Sequence, residues 1–164
     1  MRLNLQQMKK LLINSEFVEY NSSEELPTQE KELLAQAEEA AKGAYAPYSK
    51  FKVGAVVLLD NGKIICGSNQ ENASYPLGLC AERVALFAAS AQNPGIKITG
   101  IAVTSSSENP ASPCGACRQV MAEYESLHKN EMRILLKGAP EKIIATSGVK
   151  NLLPLMFSRK DLEG

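Results

Sequence analysis

Three of the four cysteines constrain this chain more than any other feature. Cys114-Gly115-Ala116-Cys117 follows Pro113, and Cys80-Ala81-Glu82 stands 34 positions upstream. Two cysteines three apart at the start of a helix lie on one face and can share a metal ion. A third thiol, at the start of another helix, can join them only where both helices begin at the same place. The spacing therefore demands a long-range contact as well as a chemistry.

Alone, the Cys114/Cys117 pair also suits a redox dithiol or a structural zinc site. Cys80 and Glu82 favour a different reading. Three protein ligands leave the fourth position of tetrahedral zinc open to water, as a catalytic site requires. His128 is the sole histidine and lies eleven positions beyond Cys117, about three helical turns along, too far to be a fourth ligand. Three thiolates over-neutralise a dication. The partial positive charge of two helix N-termini opposes that excess, and Arg83 is a candidate donor to the sulfurs. Blander readings stand beside these: Glu82 as a first-turn glutamate favoured by the helix dipole, Arg83 as a surface ion-pair residue. Cys66, on an expected strand, reads as a small core residue, and His128 as a surface residue.

The rest of the pattern alternates helices and strands. Helices are expected over 28–43, with Thr28 as cap, over 80–91 and over 114–127. Strands are expected over 51–59, 63–68, 96–105, 132–136 and 143–146, with Asp60-Asn61-Gly62 turning the first pair into a hairpin. Residues 69–78 read as a polar loop and 149–153 as a last short helix. This order favours one sheet with helices on both faces. Residues 1–27 read as an N-terminal extension, an edge strand plus a turn, ahead of a single domain over 28–164.

Composition narrows the partners. With 18 basic against 18 acidic residues the chain carries no net charge and no basic block, which argues against a grip on nucleic acid and points to a small substrate. The longest apolar run, 53–59, is strand-sized, so no membrane span is expected. Arg2, Lys9 and Lys10 precede only Leu11, Leu12 and Ile13, too little for a signal peptide. The expected location is the cytoplasm, where cysteines serve metals or catalysis rather than disulfides.

The Cys-x-Glu and Pro-Cys-x-x-Cys blocks resemble the signature of zinc deaminases. Ala46-Pro47-Tyr48-Ser49-Lys50-Phe51-Lys52-Val53-Gly54-Ala55, Glu71-Asn72-Ala73-Ser74-Tyr75, Cys80-Ala81-Glu82-Arg83 and Pro113 to Gln119 together resemble the small, homotetrameric, three-cysteine cytidine deaminases. The resemblance runs from about Thr28 to the end. It implies a three-layer α/β/α sandwich on a mixed five-stranded sheet, with one zinc per subunit on Cys80, Cys114 and Cys117. It implies hydrolytic deamination of cytidine and deoxycytidine in pyrimidine salvage, with Glu82 as the catalytic proton carrier and Arg83 behind the ligands. Asn69 and Glu71 would hold the ribose 3′-hydroxyl, Phe51 would pack on the base, and Ala81 would offer it backbone contacts. Phe157 would reach a neighbouring subunit's site, near Tyr48 and Tyr75. Leu155-Met156 replaces the small pair expected before that phenylalanine. Three other readings remain: a deaminase of another aminated pyrimidine compound, a polynucleotide-editing deaminase, and a non-enzymatic protein that kept the metal site as scaffold.

Overall fold

The computed structural model describes residues 9–139 and 141–162; Arg2 and the rest of the first eight residues lie outside it. Six strands form one mixed sheet in the order β1-β6-β5-β4-β2-β3. They are β1 (Val18–Tyr20), β2 (Val53–Leu59), β3 (Ile64–Ser68), β4 (Ile98–Ser105), β5 (Arg133–Lys137) and β6 (Ile143–Ser147). Only β4 and β5 run parallel; every other neighbouring pair is antiparallel. Helix α1 (Thr28–Lys42) covers one face, while α2 (Ala81–Gln92) and α3 (Gly115–His128) cover the other.

Two apolar cores follow from this layering. Val53, Ala55, Val57 and Leu59 of β2 point to the α2/α3 side, with Ile101, Val103, Ile134 and Leu136. Val56, Ala102 and Leu135 point the other way and meet Leu33, Leu34 and Ala37 of α1. A central strand buried on both faces explains the unbroken apolar run at 53–59. Two glycines set the helix heights. A Cβ on Gly54 would lie 2.0 Å from the Ala37 carbonyl oxygen, and one on Gly67 would lie 2.5 Å from the Ala85 nitrogen. α1 and the start of α2 therefore rest directly on strand backbone.

Four expectations change. The sheet has six strands rather than five, because Val18–Tyr20 pairs with β6, placing Val18 opposite Ala145 and Tyr20 opposite Ile143. The strand satisfies an edge that would otherwise expose unpaired amides and carbonyls. Thr146 Oγ1 donates to the Glu16 carbonyl (2.7 Å), and Lys142 pairs with Glu19 (3.2 Å), fastening it further. Thr28 does not cap α1. Pro27 holds that position in extended conformation without a side-chain cap, and Thr28 is the first helical residue. Cys66 is exposed on the edge strand β3 rather than in the core. The last helix shortens to a 3-10 turn at Val149–Asn151. No helix among the described residues is long and apolar enough to cross a membrane.

Candidate active site

α2 and α3 begin alike. Cys80 (φ −71°, ψ 152°) and Cys114 (φ −66°, ψ 165°) occupy the two N-cap positions in extended conformation. A serine or aspartate there would turn back to accept a first-turn amide. Neither cysteine does so. The two sulfurs instead face each other at 3.8 Å, and Cys117 Sγ, in the first turn of α3, lies 3.5 Å from Cys114 Sγ. All three sulfurs fall within 4.8 Å of one another, the one such cluster among the described residues.

Zinc fits this triangle. Sulfurs about 2.3 Å from a tetrahedral ion are spaced about 3.8 Å apart, close to the separations here. Three soft thiols without a fourth side-chain donor in the cluster form the open donor set of a catalytic zinc. The Cys80 thiol is already lowered to about 5, first by its hydrogen bond with Cys117 and then by Arg83 and Cys114, against desolvation. The neighbouring Cys80 thiol, and then burial, push the fully buried Cys117 thiol above the ordinary cysteine range. Two helix N-termini favour negative charge at this cluster.

Arg83 Nη2 lies 3.4 Å from the Gly78 carbonyl oxygen and 4.0 Å from Cys80 Sγ. Its Nε is buried and without a hydrogen-bond partner. Glu82 follows Cys80 by two residues and is only 5% exposed. An ordinary first-turn glutamate would reach solvent. This one lines a cavity, and desolvation raises its carboxyl above the usual range.

The cavity holds about 640 Å³, within the usual range for a small-molecule site. Phe51, Asn69, Glu71, Tyr75, Ala81 and Glu82 line it, together with Tyr48, Cys80 and Cys114. Tyr48 and Tyr75 meet edge to face at 5.9 Å on its rim. Phe157 does not line it. That ring is exposed, and its carbonyl accepts from Gln119 Nε2 at 2.8 Å. His128 is half-buried, with Nδ1 accepting the Ile98 amide (3.1 Å) at the far end of α3 from the thiols.

Two contributors were invisible as such in the sequence. Arg118 donates from all three guanidinium nitrogens, to the Pro113 carbonyl (2.6 Å), the Leu152 carbonyl (2.7 Å) and Ser112 Oγ (2.9 Å). It thereby locks the segment that carries Cys114 to the C-terminal part of the chain. A planar five-donor fork beside a ligand pair was the available signal. Ser49 is the second. Its hydroxyl bonds Glu71 and also accepts the Phe51 amide (3.0 Å).

With that geometry in view, residues 27–129 match the cytidine and deoxycytidylate deaminase zinc-binding region. The chain belongs to this family. Among curated cytidine deaminases, that of Halalkalibacterium halodurans is 44% identical over 130 residues, 79% of this chain and 95% of the relative. That of Sporosarcina psychrophila is 42% identical over 133 residues, 80% and 93%. The crystal structure of cytidine deaminase from Burkholderia pseudomallei is 42% identical, superposes with a TM-score of 0.71, and covers 80% of this chain and all of that one. The matched stretch of this chain spans both cysteine blocks and Glu82.

Proposed function

We infer that this chain is a zinc-dependent cytidine deaminase, converting cytidine and water to uridine and ammonia. The observation that carries the reading is the placement of Glu82: a carboxylate nearly closed to solvent, on the cavity wall, in the first turn of the helix that Cys80 begins. Cys80, Cys114 and Cys117 are the residues that would hold the metal. Zinc bound there would acidify a water molecule so that it ionises at about pH 7.

The proton traffic belongs to Glu82. Its carboxylate takes a proton from the attacking water and delivers it to ring N3, which makes C4 electrophilic. It then carries a second proton to the departing amine, so one group alternates between base and acid within the cycle. Phe51 packs on the pyrimidine and the Ala81 backbone meets its polar edge. Asn69 and Glu71 hold the sugar 3′-hydroxyl, so a nucleoside is preferred to a free base. Tyr48 and Tyr75 form the rim, Arg83 tempers the thiolate charge, and Phe157 reaches a neighbouring subunit's site in a homotetramer. Deoxycytidine is the second substrate, the setting is pyrimidine salvage in the cytoplasm, and residues 28–164 act as one catalytic domain behind the extension at 1–27.

Metal analysis with an ultraviolet assay of cytidine conversion tests this. The expected result is one zinc per subunit and turnover of cytidine. Glu82→Gln should keep the zinc and lose turnover. Near-normal activity in that variant would remove Glu82 from its role. A zinc-loaded wild type that releases no ammonia from cytidine would end the reading altogether.

A further inference from the structure

Glu71 has few sites left for a substrate. A carboxylate offers about four lone-pair positions. Here Oε2 accepts the amides of Tyr48 (2.9 Å) and Ser49 (3.2 Å), and Oε1 accepts the Ser49 hydroxyl. One position on Oε1 remains to meet a sugar hydroxyl, and the Ser49 hydroxyl decides where it points. The same hydroxyl accepts the Phe51 amide at 3.0 Å. One oxygen therefore touches both the acid assigned to the sugar and the backbone of the aromatic assigned to the base.

The turn around it is wound tightly. The Lys50 amide donates to the Ala46 carbonyl at 3.1 Å, and Lys50 itself lies in the left-handed region at φ 61°. A lysine is uncommon there and persists where its surroundings hold it. The surroundings are the Glu71 carboxylate on one side and the side chain of Asn69 on the other. Asn69 accepts the Val53 amide through Oδ1 and donates through Nδ2 to the Phe51 carbonyl, both at 2.9 Å. The Ser49 hydroxyl, followed by the two amides, also holds the Glu71 carboxyl below the ordinary glutamate range, so it is an anion at neutral pH.

We propose that Ser49 is a positioning residue for nucleoside selectivity: its hydroxyl aligns the Glu71 carboxylate with the substrate's sugar while fixing the turn that presents Phe51 to the base. This rests on the cytidine deaminase reading above. The metal cluster and Glu82 lie on other elements, so the hydroxyl governs binding rather than the chemical step.

The test compares zinc-loaded wild type with Ser49→Ala, and Ser49→Thr with Ser49→Val, a pair of like shape that differs in the hydroxyl. Substrates are cytidine and its analogue lacking the sugar 3′-hydroxyl. Loss of a hydrogen bond to a charged group predicts a cytidine KM about tenfold higher in Ser49→Ala, with kcat changed by less than about threefold. Selectivity for cytidine over the analogue should fall by about the same tenfold factor. Threonine should restore both and valine should not. An unchanged KM, equal loss on both substrates, or equal behaviour of the threonine and valine variants would overturn the role of Ser49 while leaving the enzyme assignment intact. A wild type inactive on cytidine would overturn the assignment beneath it.

Discussion

The thiol corner and the Glu71 rim of this site are built by different means. Cys80, Cys114 and Cys117 are placed by helix starts: two N-caps and one first-turn residue, carried by α2 and α3, which pack on the sheet. Phe51, Asn69 and Glu71 are placed by side-chain hydrogen bonds between two irregular stretches, 45–52 and 69–79, on either side of the β2–β3 hairpin. The rim is bridged to the rest by short pairings, such as the Glu71 amide to the Tyr45 carbonyl (2.8 Å) and the Gln70 amide to the Leu79 carbonyl (2.8 Å). The corner thus draws on the packing of whole helices, the rim on a few polar contacts that run from the buried Asn69 out to the solvent-facing Ser49. Damage to the first should appear in metal content, and damage to the second in substrate affinity.

The sharpest way to break this contrast is at the thiols. Cys114→Ala should lose zinc and turnover together, because two remaining thiols do not complete a catalytic donor set. Cys66→Ser, on the exposed edge strand, should change neither zinc content nor rate. Metal analysis beside the cytidine assay separates the two, and zinc retained after Cys114→Ala would dissolve the corner as drawn.

Asn69→Ala should have a middling effect. It strands the Val53 amide and the Phe51 carbonyl at a buried position, at a cost of about 1–3 kcal/mol. The melting temperature should fall and the cytidine KM rise, with zinc content kept. A zinc loss as large as that of Cys114→Ala would mean that rim and corner are one mechanical unit.

The smallest effect is a titration. Because Ser49 and the neighbouring amides lower the Glu71 carboxyl, the contribution of this clamp to stability is present above the ordinary glutamate value of about 4.3 and is lost as the pH falls through the lower folded value. The amide resonances of Tyr48 and Ser49 should shift together, with a midpoint below the free-glutamate value. A midpoint above it would contradict the clamp.

Much of the site could be read without coordinates, for a physical reason. Cysteine spacing at a helix start dictates which thiols share a face, and Pro113 and the Glu82 offset add chemistry to the same short segments. Burial and long-range pairing were harder. Cys66 looked like a core residue because an apolar strand surrounds it, yet β3 is an edge strand and the thiol faces outward. Thr28 looked like a cap because its type caps helices, but Pro27 took the position. Ser49 looked like an ordinary loop serine until Glu71, 22 residues away, came to meet it.

The amino-acid order by itself determined the three thiols, the acid two residues beyond Cys80, and the helices and strands that carry them, since those follow from local spacing and propensity. Tertiary structure alone decided that the edge strand read in the extension would pair with β6 as a sixth strand, that the Glu82 side chain would be almost wholly buried on the cavity wall, and that one serine hydroxyl would join the Glu71 carboxylate to the backbone of Phe51. Each of those depends on which distant segments come to lie against one another, and that is a property of the packed sheet and its two helical layers.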